Sequence, residues 1–191
     1  MQLSVLKYAV VALATHCSGV VSQLTPANVV DNIKTLTMKS QALQAPAKEI
    51  TIVSGPLIIV GQGPFPKLIA GFTEIVTIAT TAIPAMQAMP PVPAGQQSDA
   101  IFDAFREFVR VHQVLLNILI GKAGLFSVVP FIGAPVAAVL RQIEAVVDTV
   151  AFILINNVQS RANDLKLEAD SLGGTIDISI SKYQGIAGEV V

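Results

Sequence analysis

The stretch from Ser98 to Lys122 reads SDAIFDAFREFVRVHQVLLNILIGK, and it decides the fold class. Its apolar side chains recur at alternating steps of three and four residues, which is the spacing of one face of an α-helix. The stripe consists of Ile101, Phe105, Phe108, His112, Leu115 and Leu119. Ser98 is a candidate N-cap, because a serine hydroxyl accepts a hydrogen bond from the first helical turn. The pattern therefore predicts a long amphipathic helix with a histidine on its apolar face.

The same spacing recurs on both sides of this stretch. Thr25 and Pro26 are typical of a helix start, and the first helix carries Val29, Ile33, Leu36, Ser40 and Leu43 on its stripe. Further stripes predict helices over 50–60, 68–86 and 136–165, the first of them kinked by Gly55-Pro56.

A shorter final helix is predicted over 171–184, separated from the one before it near Gly173-Gly174. Only 175–181 shows any strand-like alternation. The sequence therefore predicts an all-α protein, an antiparallel bundle of about five to six amphipathic helices with kinked helices and an apolar hairpin.

The composition argues against several classes of function. Of 191 residues, 52% are hydrophobic and only 13% are charged, with a formal net charge of −1. Without a basic stripe the chain is not expected to bind nucleic acid. One cysteine and two histidines do not suffice for a cysteine–histidine zinc site or an internal disulfide.

The N-terminal segment reads MQLSVLKYAVVALATHCSGVVSQ over 1–23. One lysine, a short apolar run and small residues near a cleavage point are the layout of a secretory signal peptide. We expect a signal peptide over 1–22, a single helical-bundle domain over 23–191, and an extracellular, secreted protein.

An uncharged segment, AGLFSVVPFIGAPVAAVL, covers Ala123 to Leu140. Its 18 residues reach the length of a membrane span, but Pro130, Gly133 and Pro135 would break a spanning helix. We therefore expect no transmembrane span, and a buried apolar hairpin. The alternative is peripheral insertion of the hairpin tip into a hydrophobic surface. The candidate adsorption residues are Leu125, Phe126, Phe131 and Ile132.

No motif indicates catalysis. The chain contains neither a Gly-x-Ser-x-Gly nucleophile elbow nor a phosphate-binding loop that ends in Lys-Ser/Thr. A di-iron bundle needs two Glu-x-x-His motifs, which the histidine content does not supply. We expect no enzyme activity, no cofactor and no metal.

Polar residues on the apolar stripes are the candidate ligand contacts. Ser40 and His112 occupy core positions of their helices, and Gln113 is adjacent. A buried polar group without a partner costs about 1–3 kcal/mol, so each needs one. Either Ser40 bonds to its own helix and His112 to a carbonyl, or they meet the polar head of an apolar ligand between the helices.

Several blocks resemble the fungal hydrophobic surface-binding protein family, also called cell wall galactomannoprotein. The blocks are VDNI at 30–33, KSQAL at 39–43, GPLIIVGQGPFP at 55–66 and VRVHQVLLNILIGK at 109–122, with the 124–135 hairpin and LRQIE at 140–144. The resemblance covers roughly residues 24–184, nearly the whole predicted mature chain.

This resemblance implies a secreted, non-catalytic helical bundle. Family members adsorb to hydrophobic surfaces and help to recruit secreted hydrolases, and relatives bind long-chain fatty acids in a helical cavity. The implied partners are therefore hydrophobic surfaces or long-chain lipids and a secreted hydrolase. Some relatives also carry Ser/Thr-rich tails and cell wall anchors, which this sequence does not show, so wall association stays open. The resemblance assigns no ligand contacts here.

Overall fold

The computed structural model describes residues 24–54, 57, 61–126 and 132–188, with backbone alone at 126 and 185–188. Five long α-helices dominate these residues. They are α1 (Pro26–Lys48), α2 (Pro64–Gln87), α3 (Gln96–Ala123), α4 (Gly133–Asn157) and α5 (Ala162–Gly188). Short 3₁₀ turns occupy Ile52–Ser54, Gly124–Phe126 and Gln159–Arg161. No strand occurs in the described ranges, and the predicted all-α class is confirmed.

The helices form a closed ring in which each packs mainly against two others. The order around the ring is α1, α2, α4, α5 and α3, with α3 returning to α1. Helices that follow one another along the chain run in opposite directions, as in the predicted antiparallel bundle. Because α3 lies between α1 and α5, three helices of the same direction form one side of the ring, opposite α2 and α4.

The start of α1 confirms the sequence interpretation. The Thr25 hydroxyl accepts a hydrogen bond from the Asn28 backbone N–H at 3.3 Å. In return the Asn28 side-chain oxygen accepts the Thr25 backbone N–H at 3.1 Å. Pro26 follows at the first helical position, where its missing N–H leaves no intrahelical bond unmade. This reciprocal cap fixes where α1 enters the ring.

At one end of the ring, hydrogen bonds join the segments that connect the helices. The Val92 N–H donates to the Asn157 carbonyl at 2.7 Å, and the Asn157 side chain donates to the Met86 carbonyl at 3.0 Å. The Arg161 guanidinium also donates to Asp99 and to Asp164, at 2.9 and 3.1 Å. We call this the clasped end. The opposite end, where α1, α3 and α5 finish and α2 and α4 begin, is called the distal end.

Some sequence predictions were wrong. The 50–60 stretch was predicted to be a kinked helix, but its described residues, 50–54 and 57, contain 3₁₀ turn and no α-helix, and Val53 is 80% exposed. The last two predicted helices divide at Asn157 rather than at Gly173-Gly174, and α5 continues through both glycines. Ser98 occupies the third helical position, where its hydroxyl accepts the Gly95 N–H at 3.0 Å.

Among the described helices, α2 alone is long and apolar enough to cross a membrane, judged by length and composition. One of its faces packs into the ring core through Leu68, Phe72 and Ile75. Its outward threonines Thr73, Thr77 and Thr81 donate their hydroxyl groups to carbonyls four residues earlier. The polar atoms of these threonines are therefore satisfied within the helix.

Gly71 sets how closely α1 and α2 approach each other. A side-chain carbon at this position would overlap the Leu43 side chain. We expect Gly71→Val to lower the free energy of unfolding by about 1–3 kcal/mol, because overpacking displaces neighbouring side chains. Urea denaturation followed by circular dichroism measures the change.

The control for this prediction is Gly174→Ala on α5, where an added carbon meets open space. It should stabilise the protein by about 0.5–1 kcal/mol, because alanine favours helix over glycine. A Gly71→Val variant as stable as the unmodified chain would show that α1 and α2 can move apart at little cost in free energy.

Candidate functional site

An apolar cavity lies inside the ring between α1, α2, α3 and α4. All of its lining side chains are hydrocarbon or aromatic, and they are Ile33, Leu36, Ile75, Ala79, Phe105, Phe108, Val146, Val147 and Val150. The free space is ≈ 10 Å³, about the volume that one water-sized sphere needs. This cavity is therefore nearly filled, and a larger ligand there requires the surrounding helices to separate.

Ser40 and His112 lie one turn beyond this cavity along α1 and α3. On α1 the cavity residue Leu36 precedes Ser40 by four positions, and on α3 the cavity residue Phe108 precedes His112 by four. Both Ser40 and His112 are fully buried. Neither side chain lines the cavity itself, and the two lie one helical turn away from it.

The two polar side chains bond to each other. The Ser40 hydroxyl donates to the Leu36 carbonyl at 2.9 Å and lies 2.9 Å from His112 Nδ1. A serine hydroxyl has one hydrogen, so when that hydrogen points to Leu36, Nδ1 must carry the proton that Ser40 accepts. This arrangement leaves His112 Nε2 as an unprotonated acceptor.

His112 Nε2 has no hydrogen-bond partner among the described residues. Because the two nitrogens lie on opposite sides of the imidazole, Nε2 faces away from α1 and Ser40. The ring packs edge-on against Phe72, with centroids 6.0 Å apart, and lies 5.3 Å from the Phe108 ring. An unpaired nitrogen in such surroundings carries a penalty of about 1–3 kcal/mol.

Burial also sets the charge of His112. Desolvation lowers the pKa of the imidazole from 6.5 to about 4, so the ring is neutral at pH 7. A neutral ring offers Nε2 as an acceptor for an O–H group. If Ser40 turns its hydrogen toward Nδ1, Nε2 carries the proton and becomes a donor instead. The pair can therefore match a protonated carboxyl, a hydroxyl or a carboxylate.

Gln113 does not join this pair. Its side-chain amide donates to α5, at 3.1 Å to the Ser171 carbonyl and 3.2 Å to the Thr175 hydroxyl. One step along a helix turns a side chain by about 100°, so the neighbour of an inward histidine faces a different helix. Gln113 therefore joins α3 to α5, and its role as a ligand contact stays a prediction.

The predicted adsorption residues of the hairpin are only partly described. Leu125 is half-buried and packs against the core. Ile132 is 2% exposed, which agrees with the expected buried hairpin, and the alternative of surface insertion stays a prediction. The Phe126 side chain and Phe131 lie outside the described residues. Exposed apolar side chains occur instead in the neighbouring α1–α2 connection, at Ile52, Val53 and Leu57.

The aromatic contacts of His112 are not evident from the sequence. Phe108 lies on its predicted apolar stripe and Phe72 lies within the helix predicted over 68–86, but nothing in one sequence indicates that both rings pack against the same imidazole. Phe108 precedes His112 by one turn, and that spacing is the only available signal. No group of three or more metal-ligating side chains occurs in the part of the chain that the structure describes.

These features define a class: a ring of five helices with an apolar interior and one buried serine–histidine pair. No protein-family model matches the chain, and no curated protein matches its sequence. Solved structures do share the fold, and those reported next come from fungi.

The Aspergillus protein AfMP4p in complex with palmitic acid is 15% identical, with a TM-score of 0.68 over 86% of this chain and 100% of that chain. Ligand-binding domain 1 of the Penicillium marneffei MP1 protein, complexed with arachidonic acids, is 15% identical. Its TM-score is 0.70 over 83% of this chain and 99% of that domain.

Ligand-binding domain 2 of the same MP1 protein, also with arachidonic acids, is 16% identical, with a TM-score of 0.67 over 84% of this chain and 92% of that domain. At these identities the similarity establishes the shared fold. It is consistent with the resemblance to the fungal galactomannoprotein family noted from the sequence.

Proposed function

We propose that the protein binds acyl lipids inside the helical ring and has no catalytic role. The acyl chain lies between α1, α2, α3 and α4, and its polar head meets His112. The observation that carries this proposal is the buried, unpartnered Nε2 of His112, one helical turn along α3 from an all-apolar cavity. The fold shared with proteins solved with palmitic and arachidonic acids supports the same ligand class.

The energetics favour such a ligand. An acyl chain with about fourteen methylene groups gains roughly 11 kcal/mol on leaving water, at about 0.8 kcal/mol for each. Association and ordering consume several kcal/mol of this gain. Sites for molecules of this size usually enclose about 300–1,000 Å³, so the helices must separate on binding. Micromolar or tighter binding is the expected result.

A cavity-filling variant tests the location of the acyl chain. Ala79 lines the cavity on α2, and we expect Ala79→Phe to weaken fatty-acid binding more than about tenfold, because the added ring occupies the chain's space. Displacement of a fluorescent fatty acid by palmitate measures the affinity.

The matched control is Thr81→Phe on the exposed face of the same helix, which should bind as the unmodified protein does. If folded Ala79→Phe binds palmitate normally, the ligand lies elsewhere. If the unmodified protein binds no acyl ligand in native mass spectrometry after lipid loading, the proposed function is wrong.

A second candidate function is adsorption to hydrophobic surfaces, with recruitment of a secreted hydrolase. The exposed side chains of Ile52, Val53 and Leu57 favour it, because they are apolar groups in contact with water. The test is depletion of the protein from solution onto hydrophobic beads at low and high salt. Protein that stays in solution at both salt concentrations contradicts this function.

Secretion is part of the proposal. It rests on the signal-peptide layout of residues 1–22, which lie outside the described part of the chain. Expression in a fungal host, with N-terminal sequencing of protein from the medium, tests it. A mature N-terminus close to Gln23 supports secretion, whereas protein retained in the cells with its first residues intact contradicts it.

A further inference from the structure

The two ends of the ring carry opposite charge. Within two turns of the distal end, the described residues include Lys48, Lys67, Lys122 and Lys182, against Glu49 as the single acidic side chain. The corresponding residues near the clasped end are mostly acidic. They are Asp31, Asp99, Asp103, Asp164 and Glu168, against Arg161 and Lys166. A chain with almost no net charge is therefore strongly polarised along its length.

Helix dipoles do not account for all of these lysines. Lys48 and Lys122 lie in the last turns of α1 and α3, where a cation is favoured. Lys67 lies in the first turn of α2, where a cation is disfavoured. Its position there requires another explanation.

Exposed apolar side chains lie at the same end. Ile52, Val53 and Leu57 are 58%, 80% and 40% exposed, in the connection that leaves α1 at the distal end. Lys122 donates to the Ile50 carbonyl at 2.9 Å, which holds the start of this connection against the end of α3. The distal end therefore combines exposed hydrocarbon with lysine side chains.

We propose that the distal end of the ring docks on an anionic lipid bilayer. Lysines attract the negative headgroups, and long lysine stems allow the ammonium groups to stay at the interface while neighbouring apolar side chains enter the hydrocarbon region. The acidic clasped end is repelled by the same surface and points away from it. Acyl binding concerns the ligand inside the ring, whereas docking concerns the membrane surface that the protein contacts.

Vesicle flotation tests the docking. We expect the protein to float with vesicles of phosphatidylcholine and phosphatidylglycerol, to bind pure phosphatidylcholine vesicles about tenfold less, and to lose part of its binding at high salt. Replacing Lys48, Lys67 and Lys182 together by glutamate should remove the preference for the anionic vesicles. Lys122 is left unchanged because it bonds to Ile50.

The matched charge control replaces Lys34, Arg110 and Lys166 by glutamate, which changes the net charge equally but away from the distal end. It should retain vesicle binding. Similarly, Ile52→Ser, Val53→Ser and Leu57→Ser together should weaken binding at least about fivefold, and the exposed control set Phe152→Ser, Leu167→Ser and Ile178→Ser should not.

Equal losses in test and control variants would overturn the proposal, as would a folded, unmodified protein that ignores both kinds of vesicle. Equal binding to anionic vesicles and to a soluble polyanion such as heparin would also overturn it, because the apolar side chains would then play no part. Palmitate binding, measured on the same variants in solution, should remain normal. A failure of docking is thereby distinguished from a failure of the acyl-binding function.

Discussion

Replacing His112 by leucine is expected to stabilise the protein and to weaken acyl binding at least about tenfold. The replacement removes a buried nitrogen that has no partner, while Ser40 keeps its bond to the Leu36 carbonyl. The unpaired nitrogen carries a penalty of about 1–3 kcal/mol, and the lost bond to Ser40 offsets about 1 kcal/mol of the gain. We expect a net increase of about 1 kcal/mol in the free energy of unfolding, or a melting temperature about 2–4 °C higher.

Ser40→Ala provides the matched control. It leaves both nitrogens of His112 without a partner among the described side chains, so it should lower the free energy of unfolding by about 1–2 kcal/mol. Thermal denaturation and palmitate displacement are measured on both variants. A purely structural histidine would give the opposite pattern, in which His112→Leu loses stability and binds palmitate normally.

The stability of the protein should also fall as the pH decreases from about 6.5 to about 4. Burial lowers the pKa of His112 to about 4, whereas the imidazole of the unfolded chain takes up its proton near 6.5. The unfolded state therefore binds more protons in this window, and the linkage reduces the free energy of unfolding by about 3 kcal/mol across it.

Two carboxyl groups have the opposite effect on how stability depends on pH. Burial and the nearby Asp177 raise the pKa values of Glu144 and Asp148, so these groups bind protons more tightly in the folded protein. Their contribution to stability grows as the pH falls. Both remain in His112→Leu, so the difference between the two proteins isolates the histidine. Urea denaturation between pH 7 and pH 4 measures it, and parallel curves for the two proteins would contradict the prediction.

The sequence predicted both members of the buried pair but not their contact. Helical periodicity placed Ser40 and His112 on apolar stripes, and the structure buries both. Their bond joins residues 72 positions apart. It depends on α1 and α3 being neighbours that run in the same direction, which is a property of the ring and not of either stripe.

The errors have local physical reasons. Gly173 and Gly174 each weaken a helix by about 1 kcal/mol, and this favoured a break between the last two helices. Leu172 and Ile176 are fully buried on either side, and that burial outweighs the glycines. In the 50–60 stretch the apolar spacing is helical, but the Ser54 hydroxyl accepts the Thr51 N–H at 2.9 Å and donates to the Thr51 carbonyl at 2.6 Å, and these local bonds favour a short turn over a helix.

The clasp at one end of the ring has a mechanical consequence. Asn157 links the end of α4 to Met86 and to Val92, so hydrogen bonds hold the C-terminal ends of α2 and α4 together. When the proposed acyl chain enters the ring, we therefore expect the helices to separate at the distal end, away from these hydrogen bonds. Amide hydrogens near the starts of α2 and α4 should then exchange with solvent sooner than those beside the clasp, and a bound ligand should slow that exchange.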